Sequence, residues 1–149
     1  MSTTASQITA RLEVPAIAVG AATAVIAAAD GNALEMPLAE AAKRISTTAL
    51  PLLCHAPMVG RRLGVATLPA LDVLELFAFV HPARFCVPTV GGLASALSLS
   101  GTTGLADEAH ALYDIAGAII EELLMLSRIE QEGEKAEIVR APASLRNVL

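Results

Sequence analysis

Four short stretches decide the fold: Ala16-Ile17-Ala18-Val19-Gly20, Thr23-Ala24-Val25-Ile26-Ala27-Ala28, Asp30-Gly31-Asn32 and Leu34-Glu35-Met36-Pro37. The first two form a charge-free run from Val14 to Ala29, which imitates a signal peptide or a membrane span. Its Ala-rich composition carries little transfer energy, Pro15 and Gly20 interrupt it, and it falls short of the roughly 18 apolar residues a span needs. It therefore reads as two strands, Ala16–Gly20 and Thr23–Ala28. Asp-Gly is the signal of a tight hairpin turn, so a third strand, Leu34–Pro37, folds back on the second.

Working outward, the period then changes from two to 3.6. Leu38, Ala41, Ala42 and Ile45 share one helical face, with Glu40, Lys43 and Arg44 opposite. Leu50–Cys54 is a continuous apolar run, as expected of a strand covered on both faces. Because a helix crosses over before it, that strand should pair parallel to Ala16–Gly20. His55-Ala56-Pro57 opens a helix through Gly64, since Pro suits a first helical turn. Ala70–Val73 is a further strand, leading into a helix that ends near Val80 before Pro82. Val87-Pro88-Thr89 is extended, Gly91–Leu99 is a short helix, and Thr102, Thr103 or Gly104 caps the longest helix, Leu105–Ile129. The expected class is α/β, a mixed sheet with an antiparallel three-strand edge followed by parallel strands and flanked by helices. Residues 1–13 read as a flexible leader, 14–129 as one domain, and 130–149 as a charged, frayed tail.

Composition narrows the function. The chain has 149 residues, 54% of them hydrophobic and 17% charged, enough for a core and against disorder. Thirty alanines stand against three Phe, one Tyr and no Trp, so the core is small and aliphatic. A net charge of -5 has the wrong sign for strong direct nucleic-acid binding. Cys54 and Cys86 form no CxxC pair and read as buried reduced thiols of a cytoplasmic protein, with no membrane association. Neither GxxxxGK[ST] nor GxGxxG occurs, so ATP and dinucleotides have no recognisable seat. His55, His81 and His110 lack ligand spacing and read as a helix start, a surface loop and a helix face.

Asp72 is the acid inside the apolar stretch Leu71-Asp72-Val73-Leu74-Glu75-Leu76-Phe77. It reads as the cap of the helix starting at Val73, or alternatively as the remnant of a metal site. Asp107 and Glu108 open the last helix, where the macrodipole favours negative charge.

Leu52-Leu53-Cys54-His55-Ala56-Pro57-Met58-Val59-Gly60, then Leu71–Leu76, Leu93–Leu97 and Asp107–Leu112, resemble the middle and end of a DEDDh-type 3′–5′ exonuclease domain, which has a ribonuclease H-like fold. The resemblance aligns His55, Gly60, Asp72, Asp107 and Leu112 with the family's site. It puts Ala56 where the family has Asn, Gly60 and Leu112 where it has catalytic Asp, and Asp107 where it has the closing His. The family's Asp-x-Glu has no counterpart near Ala16–Ala22. The implied domain is catalytically inactive, without a metal centre.

The word Phe77-Ala78-Phe79-Val80-His81-Pro82-Ala83-Arg84-Phe85-Cys86, within a match over residues 14–128, is similar to the amino-terminal region of DinG-like ATP-dependent DNA helicases. This resemblance implies a module whose partner is the helicase motor or another protein. ATP and Mg would belong to that motor, and this chain would need no cofactor. Phe77 is the expected core member, and Arg84 and Phe85 are the expected interface. The alternatives are a stand-alone interaction protein with the same inactive fold, or an enzyme of unrecognised chemistry.

Overall fold

The computed structural model describes residues 13–48 and 50–140. The leader apart from Glu13, and residues 141–149 of the tail, lie outside the described residues. Three strands come first: β1 (Ala16–Val19), β2 (Thr23–Ala27) and β3 (Ala33–Pro37), followed by helix α1 (Leu38–Ser46). The Asp30-Gly31 turn between β2 and β3 is built as its sequence predicts. The Asp30 carboxylate accepts from the Asn32 backbone and side-chain N–H groups at 2.9 Å each, and Gly31 takes φ 96°, a conformation that glycine adopts at no steric cost.

Then come β4 (Leu52–Leu53), α2 (Ala56–Leu63), β5 (Leu71–Asp72), α3 (Val73–Val80), α4 (Val90–Ala96) and α5 (Leu105–Arg140). The sheet order is β3-β2-β1-β4-β5. β1 and β2 are antiparallel, as are β2 and β3, while β1, β4 and β5 run parallel, so β2 alone is reversed. Ala16 faces Leu52 across the expected parallel pairing.

Alternation along the strands makes three layers. Ala16, Ala18, Val25, Ala27 and Leu52 pack with Phe77, Leu93, Leu112, Ile115 and Ile119, on the side of α3, α4 and α5. Ile17, Val19, Ala24 and Leu53 pack the other way, with Ala41 and Ile45 of α1 and Val59 and Leu63 of α2. Alanine on the α5 side lets that helix lie close to the sheet. A side chain as large as Phe77, fully buried here, contributes roughly 1.5–3 kcal/mol by leaving water.

The strand expected at Ala70–Val73 is only Leu71–Asp72, several other ends shift by one residue, and three boundaries differ more. β4 is shorter than Leu50–Cys54, because Leu50 is left-handed (φ 42°) and Pro51 has no N–H to donate. The carbonyls of Pro15 and Pro51 still accept from Leu52 and Leu71 at 2.8 and 2.9 Å, which ties the short strands together. α4 stops at Ala96 instead of Leu99, as Ser98 turns to φ 57° and Leu99 N–H caps back on the Ala94 carbonyl. α5 passes Ile129 and runs to Arg140, so residues 130–140 of the expected frayed tail are helical. Its apolar face ends near Ile129, but Glu130, Gln131, Glu132, Glu134, Lys135, Ala136 and Glu137 are strong helix formers. Among the described residues no helix is long and apolar enough to cross a membrane.

Candidate functional site

Asp72 lies at the end of β5, where its pairing with Leu53 sets it beside the chain leaving β4. It is buried, and its carboxylate accepts three backbone N–H groups: His55 at 2.8 Å, Ala56 at 2.7 Å and Leu74 at 3.0 Å. The bond from Leu74 is the α3 cap that the sequence predicts. The other two serve α2, whose N-cap, His55, is left-handed (φ 66°) and offers no side-chain cap of its own. One carboxylate thus caps two helices, and backbone donors engage both its oxygens.

The other positions aligned by resemblance sit in separate surroundings. Gly60 is buried on α2 facing the following loop; a Cβ there would stand 3.0 Å from the Val65 carbonyl oxygen. Leu112 is fully buried in the layer under the sheet. Asp107 is exposed, and its carboxylate accepts from the Thr103 hydroxyl at 2.6 Å and backbone N–H at 3.1 Å. Those bonds hold its carboxyl below the usual range, the hydroxyl contributing most.

A cavity of about 160 Å³ opens at the carboxyl ends of β1 and β4, lined by Ala18, Val19, Cys54, Met58, Arg62, Thr89 and Glu108 among others. It lies where the sheet order reverses direction, the place at which open α/β sheets characteristically bind ligands. Arg62 donates from Nη1 to the Val19 carbonyl at 2.8 Å, and the Thr89 hydroxyl caps α4 by accepting from Gly92 N–H at 3.0 Å. Cys54 is buried, and its thiol is pushed up to about 12, first by burial and then by the negative charge of Asp72. It is therefore a poor nucleophile at neutral pH. Glu108 is the carboxylate of this lining, and among the described residues no group of three His, Cys, Asp or Glu side chains stands together to hold a metal ion.

Sequence reasoning placed Glu108 only at a helix start and did not single out Arg62, Met58 or Thr89. Nothing in their spacing announces the cavity, which exists only once β4 lies against β1.

Around α3 the three phenylalanines divide. Phe77 is in the core as expected, while Phe79 and Phe85 are 74% and 88% exposed. Arg84 lies over the Phe77 ring at 5.8 Å from its centroid and donates to the Ala96 carbonyl, tying the α3–α4 loop to the end of α4. His81 pairs with Glu122 of α5 and stacks at a tilt on Phe77, with centroids 5.0 Å apart.

No protein-family model, curated protein or solved structure matches the chain.

Proposed function

We propose that this chain is a catalytically inactive, ribonuclease H-like accessory module of a DinG-like ATP-dependent DNA helicase, docking or positioning a motor that itself handles ATP, Mg and DNA. The observation that carries the reading is the cavity at the β1–β4 switch point. At the place where such a sheet would hold catalytic carboxylates, Ala18, Val19, Met58 and Cys54 line the wall with Glu108 and Arg62. Two-metal phosphodiester chemistry needs several carboxylates converging on the ions, and one glutamate does not supply them. The β3-β2-β1-β4-β5 order with β2 alone reversed supports the ribonuclease H-like assignment. A reduced, cytoplasmic setting suits the free thiols Cys54, which is buried as expected, and Cys86, which is only half-buried.

A second reading, a stand-alone interaction protein with the same inactive fold, is favoured by the exposed Phe79, Phe85 and Val87, which suit any protein partner.

Both halves of the proposal are testable. The purified chain should show no Mg²⁺- or Mn²⁺-dependent trimming of single- or double-stranded DNA, and 3′ trimming above a buffer control would overturn the inactive reading. Phe85→Ala combined with Arg84→Ala should weaken association with a separately expressed helicase motor. Phe85→Ala alone should change unfolding stability by less than about 0.5 kcal/mol, as exposed positions do. A loss of roughly 3–5 kcal/mol, the cost of truncating a buried aromatic, would make Phe85 a core residue and end its interface role.

A further inference from the structure

Along the inner half of α5, Leu112, Ile115, Ala116 and Ile119 are almost completely buried. At helical spacing the same face continues as Leu123, Leu126 and Ile129, and there it is bare, Ile129 being 62% exposed. Leu126 and Ile129 follow Glu122 by four and seven residues, so they share its face. Glu122 pairs with His81 at the end of α3, so the bare stripe begins where α3 stops covering the helix.

We propose that this outer half of α5 is a docking surface for a basic amphipathic helix of a partner protein. The charge around the stripe selects that occupant. Beside the stripe stand Glu121 and the His81-paired Glu122 against Arg128, and the helix that continues it carries Glu130, Glu132, Glu134 and Glu137 against Lys135. A second copy would bring like-charged flanks together, which opposes helix pairing. Anionic lipid and nucleic acid are repelled for the same reason. The complement is a Leu/Ile stripe flanked by Lys or Arg, laid on α5 as a helix on an apolar face. The proposal deepens the docking half of the function above and rests on that half, independently of whether the partner is a helicase.

The test uses the full chain and a labelled three-heptad peptide with Leu at positions a and d and Lys at e and g, followed by fluorescence anisotropy. Binding is expected, weakening as salt rises, with no binding of the same peptide carrying Glu at e and g. Leu126→Glu with Ile129→Glu should weaken it roughly tenfold or more while leaving the melting temperature unchanged, since both side chains are exposed. The proposal is overturned if the Lys peptide does not bind, if both peptides bind equally, or if the paired substitution has no effect. It is equally overturned by a chain dimer in sedimentation equilibrium that the paired substitution dissolves, or by co-pelleting with anionic phosphatidylserine vesicles. Failure of the peptide leaves association through Arg84 and Phe85 to be decided by the motor-binding assay, so the two outcomes are separable.

Discussion

The β4–β5 junction and the start of α5 each present an aspartate at a helix start, Asp72 and Asp107. Asp72 is buried and accepts three backbone donors from two separate segments. Asp107 is in water and accepts only from its neighbour Thr103. The resemblance aligns both with its family's site, Asp107 at the place of a histidine, and in the structure each carboxylate accepts hydrogen bonds at a helix start. The difference lies in what replaces water: backbone N–H groups enclosed with Asp72 have no other partner, whereas those near Asp107 can turn to solvent.

The sharpest way to break that contrast is Asp72→Ala. It leaves the N–H groups of His55, Ala56 and Leu74 unpaired in a buried site, each at a cost of roughly 1–3 kcal/mol, so denaturant unfolding should show a loss on the order of 3 kcal/mol or more. A loss below about 1 kcal/mol would mean that solvent reaches the junction and that the two aspartates are equivalent.

An effect confined to alkaline pH, and absent at neutral pH, comes from Cys54, which feels the Asp72 charge. Its thiol pKa is raised from 9.0 to about 12 in the folded protein. The folded state therefore keeps a proton that the unfolded state releases, and stability falls as pH rises above about 9, by roughly 1.4 kcal/mol per unit until the folded thiol ionises. Cys54→Ala should flatten that alkaline decline, and Asp72→Asn should lower the pH at which native Cys54 becomes reactive to alkylation. An unchanged alkaline melting curve in Cys54→Ala would show that the thiol is not the group responsible.

The smallest effect is expected of Asp107→Ala, a slight drop in melting temperature at neutral pH. Because Thr103 holds the Asp107 carboxyl below its ordinary value of 3.8, this contribution is present above that value. It disappears as pH falls through the lower folded value. Melting curves of the two proteins should therefore converge in acid; a gap that persists or widens there would assign the effect to something other than this carboxylate.

Much of this fold is legible in local sequence. The strands β1 to β3, the Asp30-Gly31 turn and the helix cap at Asp72 depend on neighbours within a few residues, and alternation with turn chemistry reveals them. What is not legible depends on pairing between distant segments. The bonds from His55 and Ala56 to Asp72 exist because β4 lies against β5, so the sequence suggests a single cap where the structure has a double one. The cavity is hidden for the same reason: Arg62, Thr89 and Glu108 come from three helix termini, and only the sheet order brings them together. The α5 end lies beyond the expected one because periodicity reveals burial, whereas residues 130–137 are exposed and helical through backbone preference.

In mechanical terms α5 is a lever. Its inner half is clamped by the layer of Leu112, Ile115 and Ile119 and by the Tyr113 hydroxyl, which donates to the carbonyls of Val14 at 2.7 Å and Ala27 at 3.1 Å. The segment from residue 121 to 140 extends about 30 Å at the rise of an α-helix. That arm continues the helix that holds Tyr113, at the end of the sheet opposite the cavity, and Leu105, whose Cδ1 would stand 2.9 Å from a Cβ at Gly20. The anchoring of α5 therefore touches both ends of β1.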